Sequence, residues 1–98
     1  MFGLSDSEFL FLNENLVKPL KDLGCTVYIF GSRATGQFQK FSDIDLIYNS
    51  KNKIEKHILF QLLQKMEDSN FSYKIALVDE NVIAASFKDK INREKIEL

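Results

Sequence analysis

The chain has 98 residues, 45% of them apolar with nine phenylalanines, and a formal net charge of −1. That length predicts one domain, residues 1–98, with enough apolar content for a real core, which excludes a disordered chain. The charge balance lacks the basic excess of a general nucleic-acid binder. No apolar run is long enough to span a membrane, and the lone Cys25 has no internal partner, so a soluble cytoplasmic protein is expected.

Ser5-Asp6-Ser7-Glu8 has the form of a capping box, and Phe9, Leu12, Leu16, Leu20 and Leu23 follow at helical spacing. Pro19 should kink or split that helix, and Gly24 should stop it. Thr26–Phe30 is β-branched and aromatic and reads as a buried strand. Gly31–Gly36 should turn sharply into a short helix, with Gln37–Phe41 as connector and a second strand over Asp43–Tyr48. A helix over Ile54–Asp68 presents Ile58, Leu59, Leu62, Leu63 and Met66 inward. A third strand is expected over Tyr73–Val78. Asp79-Glu80-Asn81 then caps a last helix. Phe9, Phe11, Phe60, Phe71 and Phe87 read as core by their spacing. The order predicts an α/β (α+β) fold, a small mixed sheet of three to four strands with helices mainly on one face.

The run from Gly31 to Asp45 carries the chemistry. Gly31-x4-Gly36 is not a Walker loop, because Gln37-Phe38 stands where Lys-Ser/Thr is required. What remains is a turn whose backbone can approach phosphate. Asp43 and Asp45 lie one residue apart on a strand, hence on one face, at a Cα separation of about 6.5–7 Å. At an effective dielectric near 20 their charges repel by roughly 2–3 kcal/mol. A cation between them relieves this, and Mg²⁺ takes one or two carboxylates plus substrate phosphates. The flanking Ile44, Leu46 and Ile47 mark a packed strand rather than a solvated edge. His57, the only histidine, has no Cys or second His near it in sequence to make a zinc site.

Gly31-Ser32, ten intervening residues, then Asp43-Ile44-Asp45 resembles the signature of the DNA polymerase β-type nucleotidyltransferase superfamily. The chain's size and element order are similar to the minimal nucleotidyltransferases (MNT), many of which are antitoxins paired with HEPN toxins. The resemblance implies ATP phosphates on Gly31 and Ser32, and Mg²⁺ on the catalytic Asp43 and Asp45. Gly36 closes the phosphate-approaching turn, and Arg33 has two readings, neutralising phosphate charge or making a surface ion pair with a nearby carboxylate. It also implies adenylyl transfer to a hydroxyl of a HEPN partner. Thr35 departs from the family, where a second basic residue is common, and Lys40 reads as solvated. The family's third carboxylate lies on the next strand, and its place falls on Ala76. Asp79 has the wrong parity to replace it, and Glu80 lies beyond the strand end. Two other readings stay open. One is a catalytically impaired module that neutralises its partner by contact. The other is a transferase acting on small molecules, which would need an acceptor domain that 98 residues do not accommodate.

Overall fold

Ser5 starts the first helix through a reciprocal pair of bonds: its Oγ accepts from the Glu8 amide at 3.2 Å, and its own amide donates to Glu8 Oε1 at 2.8 Å. In this computed structural model, which describes residues 1–98, α1 spans Asp6–Leu12 and α2 spans Lys18–Asp22. A π-helical turn, Asn13–Val17, joins them, and the Lys18 amide reaches the Asn13 carbonyl. The expected break at Pro19 is thus absorbed. A proline lacks the amide and crowds the carbonyl four residues back, and the widened turn just ahead of it accommodates both effects. The chain leaves α2 through Gly24, whose φ is +93°.

Four strands form one sheet in the order β3-β2-β1-β4. β1 (Cys25–Phe30) pairs antiparallel with β2 (Ile44–Ser50), and β2 pairs parallel with β3 (Ile75–Asp79). The parallel pair is joined by the crossover helix α4 (Lys56–Asp68). The core lies between the sheet and the helices. Leu12, Leu16, Val17, Leu20 and Met66 meet Val27, Ile29, Ile44 and Leu46, and none of these side chains is more than 2% exposed. Strand alternation turns Tyr28, Phe30, Asp45, Ile47 and Ala76 to the other face.

Two expectations need correction, and a fourth strand completes the sheet. The last helix, α5 (Ala85–Glu94), begins at Ala85 rather than at Asp79, because Asp79 instead caps a 3₁₀ turn over Glu80–Val82. Its carboxylate accepts from the Asn81 amide at 2.9 Å. A two-residue strand, β4 (Ile96–Glu97), follows α5 and pairs with Tyr28 and Ile29 on the free edge of β1. Phe9, Phe11 and Phe71 do pack on the core, but Phe60 and Phe87 are 66% and 60% exposed. Phe60 lies beside, not on, the inward face that Leu59, Leu63 and Met66 give α4. No residue of α5 is buried.

The segment after β3 returns along the second face of the sheet. Glu80 accepts from the Asn49 amide group at 3.0 Å and pairs with Lys95 at 3.5 Å, and the Lys95 ammonium lies 4.3 Å from the centre of the Tyr28 ring. No helix is long and apolar enough to cross a membrane.

Candidate nucleotide and metal site

β1 delivers the chain into Gly31, whose φ of +75° and ψ of −154° belong to a region that only glycine enters without strain. The turn continues as the short helix α3 (Ser32–Thr35), which Gly36 ends in the left-handed conformation at φ +84°. Ser32 and Arg33 are the first residues of that helix, so their amides have no acceptor within it.

Gly31 and Asp45 are in contact. Phe30 and Asp45 are cross-strand partners, which sets the turn directly beside the carboxylate. A Cβ built on Gly31 would stand 2.6 Å from Asp45 Oδ2. The glycine is therefore needed twice, for its backbone angles and for the space that the carboxylate fills.

Asp43 is exposed and lies just ahead of β2, whereas Asp45 is half-buried within it. Burial, followed by the neighbouring Asp43 charge, holds the Asp45 carboxyl above the ordinary carboxylate range. The two groups thus form a like-charged pair whose repulsion a cation would relieve. Such a pair suits Mg²⁺, which takes few protein carboxylates when substrate phosphates complete its shell.

The β2–β3 register pairs Asp45 with Ala76. Neighbouring strands lie about 4.8 Å apart, so the Ala76 methyl points out beside the Asp45 side chain. Phe30, Asp45 and Ala76 make one row across the face of the sheet turned away from the helical core. No group of three or more His, Cys, Asp or Glu side chains placed to hold a metal ion converges in the molecule.

Arg33 is placed differently from either expectation, phosphate contact or a surface ion pair. It is the only charged residue buried in the chain, at 2% exposure. Its Nε and Nη2 donate to the Ser42 carbonyl at 3.0 and 2.8 Å. Nη1 donates to the Phe2 carbonyl at 2.8 Å, and Nη2 also reaches the Lys40 carbonyl at 3.4 Å. The guanidinium carbon lies 5.1 Å from the centre of the Phe38 ring and 4.7 Å from that of Tyr73. The Lys95–Glu80 ion pair and the His57–Glu55 contact lie elsewhere. The side chain is spent on the protein's own carbonyls and rings. Sequence reasoning missed this. The only available signal was a cluster of aromatics, Phe38 and Tyr73, able to sandwich a guanidinium.

Lys40 lies over the Phe41 ring, and the Thr35 hydroxyl donates to the Ser32 carbonyl at 3.3 Å. The three cavities of the molecule, of about 490, 300 and 210 Å³, include neither Asp43 nor Asp45. The row of Phe30, Asp45 and Ala76 forms an open surface rather than a closed pocket.

A glycine turn is thus laid against one of two neighbouring carboxylates on a small mixed sheet with a parallel crossover. Residues 20–98 match the family described as polymerase beta, nucleotidyltransferase, and the chain belongs to that family. It is 28% identical over 68 residues to the "Probable protein adenylyltransferase MntA" of Haemophilus influenzae, a match that covers 69% of this chain and 60% of that one. The chain thus spans about 60% of the length of that relative. Among solved structures, one assigned provisionally as a minimal nucleotidyltransferase superposes with a TM-score of 0.75 at 22% identity, covering 97% of both chains. A toxin–antitoxin structure with AMP-PNP gives 0.67 at 20% identity over 87% of this chain and 70% of that one. A structure of the tri-AMPylated HEPN toxin of Shewanella oneidensis with its MNT antitoxin gives 0.63 at 19% identity, over 92% and 70%. These likenesses establish the fold.

Proposed function

We propose that residues 1–98 act as one minimal nucleotidyltransferase domain in the cytoplasm, moving AMP from ATP to a hydroxyl of a HEPN-type partner as the antitoxin of such a pair. The observation that carries this reading is the contact of Gly31 with Asp45, which joins a glycine turn to one of two neighbouring carboxylates. The family, the resemblance to MntA and the fold shared with toxin–antitoxin complexes support it.

In this reading the amides of Gly31 and Ser32, the Ser32 hydroxyl and the Gly36 turn hold the triphosphate. Asp43 and Asp45 hold Mg²⁺, which when bound supplies the positive charge joining phosphate to carboxylate. The acceptor oxygen bonds to the α-phosphorus, the bond to the bridging oxygen breaks, and pyrophosphate leaves. The acceptor proton cannot pass to residue 76, which is alanine, so it goes to water or to a base on the partner. Loss of a general base typically costs 10²–10⁴ in rate. The open face fits an acceptor brought in by a second protein.

Ala76 in register with Asp45 favours a second reading, a module that binds its partner and neutralises it by contact. Incubation with α-labelled ATP, Mg²⁺ and the co-encoded partner separates the two. Label on the partner that is lost in Asp45→Ala is the result expected of a transferase. A stable complex with no label at any nucleotide concentration overturns transfer in favour of contact.

A further inference from the structure

The buried guanidinium of Arg33 joins the two halves of the candidate site. Its backbone directly follows Ser32, in the turn assigned to phosphate, and its side chain ends on the carbonyl of Ser42, which directly precedes Asp43. One side chain thus spans the residues between the turn and the first carboxylate. It also grips the connector at Lys40 and the amino-terminal segment at Phe2. Its second ring contact, Tyr73, lies just ahead of the strand that carries Ala76.

The energetics favour a specific part over a filler. A guanidinium out of water and without a carboxylate partner is costly unless its donors are met. Here the donors reach three carbonyls and the flat faces meet two rings, which offset that cost through charge-assisted bonds and cation–π attraction. The arrangement needs a planar fork. A lysine ammonium is a point charge and cannot serve three separate carbonyls while stacked between two rings.

We propose that Arg33 is a positioning residue. It fixes the spacing between the Gly31-Ser32 turn and Asp43, so that nucleotide and metal meet in one geometry, and it does so without touching either. The proposal rests on the nucleotide-binding reading above for its functional arm, and on the hydrogen-bond pattern alone for its structural arm.

The test compares the full-length chain with Arg33→Lys, read by amide exchange and by calorimetry with ATP and Mg²⁺. The Ser42 amide donates to the Gln39 carbonyl and the Gln39 amide to Ser42 Oγ, so both report on the connector. In Arg33→Lys their exchange should rise about tenfold or more, while the paired amides of β1 and β2 stay protected. ATP–Mg²⁺ affinity should fall about tenfold, while ATP affinity without Mg²⁺, which needs the turn but not Asp43, should change much less. A purely structural role would give the same loss with and without Mg²⁺, and that result overturns the proposal. Unchanged affinity with a loosened connector overturns it too. If the unaltered chain binds no nucleotide, the proposed function falls and the exchange arm decides: a loosened connector supports the clamp and an unchanged one refutes it. Should Arg33→Lys not fold, Phe38→Leu removes one ring face, leaves the guanidinium's bonds, and is read by the same criteria.

Discussion

Replacing Gly31 by alanine tests the contact on which the site is built. Two costs follow from the geometry. The backbone angles of Gly31, φ +75° and ψ −154°, would carry roughly 1–3 kcal/mol of strain in any residue with a Cβ. The new methyl would also stand 2.6 Å from Asp45 Oδ2, closer than carbon and oxygen tolerate, so the carboxylate must swing away. At about 4 °C of Tm per kcal/mol for a chain near 100 residues, the strain alone predicts a fall of roughly 4–12 °C by calorimetry. Swinging the carboxylate aside should weaken ATP–Mg²⁺ binding by about 10–100-fold, the usual effect of disturbing the support of a metal ligand. Gly24→Ala is the control. Its φ is +93°, but open space surrounds the position, at the end of β1 opposite Gly31, so it should lose roughly 1–2 kcal/mol and bind nearly normally. If Gly31→Ala binds nucleotide as well as Gly24→Ala does, the contact with Asp45 is not part of a binding site and the reasoning fails.

Asp45→Asn should remove ATP–Mg²⁺ binding. It should also change how stability varies with pH. Burial and Asp43 raise the Asp45 carboxyl, so the folded chain holds that proton more tightly than the unfolded chain does. Stability from this group is therefore full below the unfolded value and is lost as pH rises to the raised one. The difference between the unaltered chain and Asp45→Asn in urea melts should show that decline. A difference that grows in the opposite direction would refute the placement. Ala76→Asp should complete a three-carboxylate row beside Asp45 and raise transfer by about 10²–10⁴ with the true partner, at a stability cost that Mg²⁺ offsets. A folded variant with no gain would favour contact neutralisation. Leu16→Ala, in the π-helical turn and fully buried, should cost about 2–5 kcal/mol in denaturant melts and leave nucleotide affinity per folded molecule unchanged.

Much of the site's frame was legible because it depends on local rules. The capping box at Ser5 and the parity that sets Ala76, rather than Asp79, opposite Asp45 each follow from a short stretch of chain, whereas Asp43, expected in the strand, lies just ahead of it. Arg33 was not legible in this way. Its partners at Phe2, Lys40 and Ser42 are backbone carbonyls, which every residue possesses, and only the folded chain decides which of them converge. β4 was hidden for a related reason: two residues hold no pattern, and they become a strand only because β1 offers a free edge. Phe60 and Phe87 misled because aromatic residues usually sit inside, and helical spacing alone does not mark the outer edge of an apolar face. Asp79 did cap a turn, but of a 3₁₀ type that ends before α5 begins. Pro19 gave the position of the irregularity but not its form.

The pairing of β4 with β1 has a consequence for the order in which the molecule assembles. β1 meets β2 across a connection of thirteen residues, Gly31–Asp43, whereas β4 reaches β1 only after α4, β3 and α5 have been traversed. Closing so large a loop is rewarded by two paired residues and the bond from the Leu98 amide to the Val27 carbonyl. The long closure places that pairing late in folding, after the β1–β2–β3 frame exists. The strand that leads into Gly31 is therefore set against β2 and Asp45 before its other edge is covered.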